Sequence, residues 1–506
     1  MFNILSYIID GSIISLSIYV LILGWLSLII ISKTYNNIKS VTTISHKIVR
    51  QYSLLISILL LYLVLLWWYY YDPYVPSLTI NNINNNNNIY NIANIGNIII
   101  GLDGLSLYFG VLIGIIIPIS ILSGWYFKAI ESNLYYIIVL GIGILLLINF
   151  LCLELLSFYV LFESTLIPLF LLIGLYGSSN KEKAAYYVLL YTLFGSLFML
   201  LSVCITSYML KSTSYYVYSN LVLSIDIQTI LWLGLFIAIM IKSPLYPLHI
   251  WLPVVHSESP LAGSIILAGL VLKLTVYLII RWLLPVLSEG TLLFTPMIYV
   301  ICVLTIIIVS LITIVQVDLK VIIAYSSVSH MSVCILGVFA NNIIGIEGSY
   351  ILSIAHGFVS PGLFIAVGGI LYDRYHTRIV AYYNGLLSFM PLFSLYFIVL
   401  SFANVGTPLS ANFIGEFFSL YGAFKSSPIL ISIATFSVLL AATYQMKLTN
   451  RITGGYTANI YNIGDITSRE SIMLLSLILP TLFIGIYPQF MINDLYHIIS
   501  STIYNI

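Results

Sequence analysis

The chain has 506 residues, 61% of them hydrophobic and only 7% charged, with a mean hydropathy of +1.09. A soluble domain carries roughly 25% charge, so composition excludes a soluble enzyme. The net charge of +1 leaves no basic footprint for nucleic acid.

What remains is an all-α polytopic membrane protein, because apolar stretches long enough to span recur from end to end. The first, MFNILSYIIDGSIISLSIYV, is not Arg-rich and meets no small-residue cleavage site. It reads as a span rather than a transit peptide. Hydropathy predicts about fourteen spans. They run roughly over 6–32, 53–71, 98–126, 134–152, 154–177, 184–210, 229–249, 258–283, 294–316, 320–340, 349–371, 387–423, 428–446 and 471–490. Between the second and third lies the polar DPYVPSLTINNINNNNNIYNIANIGN, open to a short hairpin, an ordered loop or a flexible tract. This Asn-rich segment (81–97), 40 tyrosines and abundant Ile and Phe suit A/T-rich codons, which points to an organelle-encoded gene.

Lysine and arginine test the span count. Thirteen of the 18 fall in odd-numbered loops and three (Lys211, Arg281, Lys425) in even-numbered ones, with Lys242 and Lys273 inside spans. This bias puts the odd loops on the matrix or cytoplasmic side and both termini on the opposite, intermembrane-space side.

Two spans carry breaks. Pro244 and Pro247 interrupt the seventh, and Gly406-Thr407-Pro408 interrupts the twelfth. Each proline removes a backbone donor and clashes with the preceding turn. Matching broken helices point to inverted repeats around a midplane site. The expected layout is spans 1–3 with the Asn-rich loop (1–133), a first five-helix repeat (134–283), an inverted second repeat (294–446), and a C-terminal loop with the last span (447–506).

The chemistry sits in buried ionisable residues. A charge at bilayer depth costs about 2.5–3.5 kcal/mol on insertion scales and usually has a partner and a job. Lys242 lies two residues before Pro244, and is open either to pairing with Glu163 or to snorkelling. Glu163 is either the variable partner of Lys242 or half of a fixed structural pair. Lys273, thirteen residues past Pro260, lies too deep to snorkel. His330 and His356 suit a relay or an interhelical hydrogen bond. Glu416 follows the break of span 12 and is read as the counterpart of Lys242, or as a surface acid at a helix end. Glu154 reads as an interface residue, Asp103 as a helix cap, and Gly110 and Gly114 as a close-packing face. Cys152, Cys204, Cys302 and Cys334 form no CxxC pair, which argues against iron–sulfur or zinc ligation. No Gly-rich phosphate loop follows a strand.

IKSPLYPLHIWLPVVHSESPLAGSIILAGLVLKL (241–274) resembles the proton-translocation signature of the antiporter-like subunits of respiratory complex I, NADH–ubiquinone oxidoreductase. FESTLIPLF (162–170), SSVSHM (326–331), AHGFVSPGLFIAVGGILYDRYHTR (355–378) and NVGTPLSANFIGEF (404–417) extend the match, and a glutamate in span 12 looks most like the chain 4 branch. The resemblance implies a proton-translocating membrane-arm subunit of the mitochondrial inner membrane. Glu163 and Lys242 would be a switching pair and Lys273 the central carrier. His330 and His356 would bridge half-channels, and Glu416 would exchange protons with the exit side. It implies no prosthetic group here, with NAD, FMN, iron–sulfur clusters and ubiquinone in partner subunits. Its implied partners are neighbouring antiporter-like and accessory subunits and lipids such as cardiolipin. A stand-alone cation/proton antiporter and a structural scaffold stay open as alternatives.

Overall fold

The computed structural model describes residues 2–36, 42–72, 92–95, 98–125, 132–218, 223–455 and 464–504. Among these, thirteen helices are long and apolar enough to cross a membrane. A fourteenth crossing is the broken pair Pro391–Val405 and Ala411–Phe424. The fourteen predicted spans are therefore present, with shifted ends.

The third span shows why an end shifts. It was expected from residue 98 but begins at Gly104. Ile98–Gly101 instead pairs antiparallel with Ile92–Ile95, with Ile95 opposite Ile98. Asp103 then caps the helix. Its carboxylate accepts from the Ser106 N–H at 3.0 Å, and the Ser106 hydroxyl accepts the Asp103 N–H at 2.8 Å. This reciprocal cap satisfies two of the helix's orphan donors. The hairpin is thus a small exception to the all-α expectation; the run Asn84–Asn88 lies outside the described residues. Gly110 and Gly114 do pack closely. A Cβ on Gly114 would stand 3.3 Å from the Leu61 backbone in the second span.

Burial divides the helices into a centre and a shell. Leu261–Val286 and Ile343–Tyr375 are completely buried in their apolar windows, and Leu319–Val338 is 89% buried. The shell exposes leucine, isoleucine and phenylalanine outward, as at Leu190, Ile230 and Leu479. Only a hydrocarbon surround makes such a surface stable. The two innermost helices also carry π-helical turns, at Leu267–Val271 and Ile279–Leu283 in span 8 and at Ile365–Leu371 in span 11. Such turns widen the helix and recur at functional positions.

Both predicted breaks are real. Span 7 stops at Lys242 and resumes at Trp251. The Ile241 carbonyl freed there accepts the Trp251 indole N–H at 2.8 Å. Span 12 stops in a Schellman-type cap: Gly406 N–H donates to Ala403 O and Thr407 N–H to Phe402 O, at 3.1 and 3.2 Å. Gly406 takes φ +77, a backbone state in which glycine meets no Cβ penalty.

Two sequence assignments need correction. Arg281, sorted into an even loop, is 2% exposed inside span 8 and ion-paired with Asp103. Removing it from the loops strengthens the charge bias. Lys320, sorted into an odd loop, is 4% exposed in the first turn of Leu319–Val338. A helix at Gln489–Tyr504 was not expected. Its Met491, Leu495 and Ile499 are buried four residues apart on one face.

Candidate proton-transfer site

Lys273 opens the helical segment that follows the first π turn of span 8. Its side chain is fully buried and curls back to donate to the Ala268 carbonyl of that turn. The ammonium also meets His356 Nδ1 at 2.8 Å, across 83 residues of sequence. His356 comes from the centre of span 11 and is likewise fully buried.

The contact continues. The rings of His356 and His330 lie 5.6 Å apart at their centroids. His330 Nδ1 then meets Glu416 Oε1 at 2.9 Å. In both histidines Nδ1 has a partner and the buried Nε2 has none. An imidazole can accept a proton on one nitrogen and release it from the other, so each ring is placed to pass a charge along. Four ionisable side chains from spans 8, 11, 10 and 12 thus form one contiguous line.

Glu416 stands at the open end of that line. It lies in the second turn after the break, and its carboxylate folds back over it. A Cβ on Gly406 would come within 2.8 Å of Glu416 Oε2. The carboxylate is 12% exposed and borders a lateral cavity of about 460 Å³ whose other walls include Phe413, Phe417 and Ile431. Glu416 is therefore no surface acid at a helix end.

Glu163 and Lys242 depart from expectation. They do not meet as an ion pair. Lys242 Nζ lies 4.2 Å from the centroid of the Phe162 ring and has no hydrogen bond. Glu163 Oε2 is buried without a partner. A cation over an aromatic face gains part of what a carboxylate would supply, so Phe162 occupies the partner's place. Lys242 does not snorkel, being 2% exposed. Glu154 sits at the N-cap of Leu155–Ser164 and accepts the Ser157 hydroxyl at 3.2 Å, away from the line. Sequence reading gave no role to several further buried ionisable groups, among them Lys320, His256, His249 and Glu347. The signal for His256 was its place inside the HSESP run, where it received no separate role.

Residues 152–441 match a family described as NADH:quinone oxidoreductase/Mrp antiporter, TM. The chain belongs to this family. It is 57% identical over 408 residues to NADH-ubiquinone oxidoreductase chain 4 of Yarrowia lipolytica, covering 80% of this chain and 84% of that one. The chain 4 of Arabidopsis thaliana is 41% identical, covering 80% of this chain and 82% of that one. Among solved structures, respiratory complex I from Thermus thermophilus with bound NADH contains a chain with a TM-score of 0.82 at 27% identity. The match covers 96% of this chain and 99% of that one. An Mrp complex chain from Dietzia, at 16% identity and a TM-score of 0.77, shares the fold, over 97% of this chain and 98% of that one. The chain is an antiporter-like, proton-translocating membrane-arm subunit of the complex I type, and the stand-alone antiporter is not favoured.

Proposed function

We propose that protons cross this subunit along Lys273, His356, His330 and Glu416. The single observation that carries the reading is the succession of a buried ammonium, two neighbouring imidazoles and a carboxylate beside the break of span 12, hydrogen-bonded at both ends and with the two rings 5.6 Å apart between. Lys273 hands a proton to His356 Nδ1. The imidazole releases one from Nε2 toward His330, directly or through water. His330 in turn passes one from Nδ1 to Glu416. The starting state returns when Glu416 releases its proton on the exit side, each imidazole moves its remaining proton back to its original nitrogen by ring rotation or through water, and Lys273 is reloaded.

Lys242 and Glu163 set the timing in this reading. With Lys242 over Phe162 and Glu163 Oε2 unpartnered, a small side-chain movement makes or breaks their ion pair. Forming the pair neutralises a buried positive field, and breaking it restores that field. Charges interact strongly in so deeply buried an interior. NADH oxidation and quinone reduction belong to other subunits. The setting is the mitochondrial inner membrane, with the lysine- and arginine-rich loops facing the matrix. The exposed apolar shell fits neighbouring membrane-arm subunits and lipids such as cardiolipin, with accessory subunits at its polar edges.

His356→Phe tests the line at its middle. Phenylalanine fills the ring's volume but offers no nitrogen. The expected result, in assembled complex in sealed vesicles, is a lowered ratio of protons pumped to electrons transferred. An unchanged ratio at normal assembly sinks the proposed route.

A further inference from the structure

The line just described has an exit and no inlet. We infer that His256 and Lys320 form the inlet, loading Lys273 from the face that carries Asp318 and Arg378. This rests on the proposed route and extends it to two residues outside it.

His256 lies on Trp251–Glu258, the helix that resumes span 7 after its break. Its ring is fully buried and stacks flat on Phe364, with centroids 4.7 Å apart and planes 9° from parallel. Neither ring nitrogen has a hydrogen-bond partner in the protein. A buried imidazole with two idle nitrogens is rare, because buried polar atoms find a partner in protein or in ordered water. Lys320 and Lys273 are each close enough for their charge to act on the ring. His256 is also close enough to act on His356. It therefore stands beside the upstream end of the line.

Lys320 connects His256 to the surface. Its ammonium donates to the Ser259 carbonyl at 3.2 Å, three residues beyond His256. The lysine stem passes over Gly368 in the π turn of span 11, where a Cβ would stand 2.6 Å from Lys320 Cε. Glycine there leaves room for a lysine that could not otherwise reach inward. Around the ammonium are the charges of Arg378, Asp318, Glu258 and Asp373. Arg378 is itself held by the Ser257 carbonyl at 2.5 Å, and Glu258 by the Ser178 hydroxyl. One lysine thus touches both a cluster of charges and the rim of the buried core.

The proposed transfer balances. Lys320 releases one proton through water to a His256 nitrogen. The ring releases one from its other nitrogen to neutral Lys273, and Lys320 takes a replacement from the aqueous face. A lysine can do this because its proton affinity falls readily on burial; an arginine keeps its proton.

That difference makes Lys320→Arg the decisive variant. It keeps the charge and a donor for Ser259. In assembled complex in sealed vesicles, Lys320→Arg and His256→Phe are expected to lose the same protons per electron pair as Lys273→Met. Wild-type pumping by Lys320→Arg overturns the inlet, leaving Lys320 a charge anchor. If Lys273→Met loses protons while both inlet variants do not, the inlet alone fails. If Lys273→Met pumps normally, the route and the inlet fail together. Should the variants not assemble, the unmodified complex at a resolution that shows water decides. Water bonded to both His256 nitrogens is expected, and a dry ring overturns the inlet.

Discussion

Replacing Arg281 by methionine is expected to destabilise the subunit by about 3–5 kcal/mol, the cost of leaving a buried charge without its partner. Both side chains of the Arg281–Asp103 pair are almost fully buried. The guanidinium also lies 5.3 Å from the Tyr215 ring centroid and 5.6 Å from that of Tyr277. Methionine keeps much of the stem's volume but strands the Asp103 carboxylate. A second substitution, Asp103→Asn, should return most of the loss. Asparagine remains a good N-cap and keeps the bond to Ser106 without the charge. The measurement is the melting temperature and the amount of assembled complex for the two singles and the double. Equal loss in Arg281→Met and in the double would show that the stranded charge is not the cause.

Lys273→Met is the second large effect, and it falls on transport. Methionine matches the lysine's length and carries no titratable proton. Proton transfer through this chain is expected to fall roughly a hundredfold or more, the range for losing a positioned proton-transfer group. Assembly should be near normal, because removing a buried ammonium also removes its desolvation cost. Initial proton release by vesicles given NADH and quinone checks this.

These expectations draw differently on sequence and structure. Hydropathy alone found the crossings, because a bilayer leaves few ways to satisfy a backbone. Prolines 244, 247 and 408 located both breaks because a missing N–H acts locally. Contacts across the chain were not legible in the same way. Arg281 looked like a loop residue because it stands near the end of its apolar run; its partner lies 178 residues away. The π turns beside Lys273 and Lys320 depend on packing between spans 8, 10 and 11, which no local pattern records.

The candidate site divides along the same boundary. Residue types and depth singled out Glu163, Lys242, Lys273, His330, His356 and Glu416 from cost alone. That four of them line up as neighbours, Lys273 to His356 to His330 to Glu416, is a property of four helices meeting. The pairing of Glu163 with Lys242 failed as a contact because the neighbouring residue, Phe162, offers the ammonium a ring face. His256 was missed because its two idle nitrogens become informative only once its burial is known.

The most direct measurement is the proton-to-electron ratio of assembled complex carrying Lys273→Met, Glu416→Gln and both together. Groups acting in series are non-additive, since interrupting one link leaves nothing for the second to remove. Each single should lose the same number of protons, and the double no more than either. A double that loses twice as much, or singles that pump normally, would contradict a shared line.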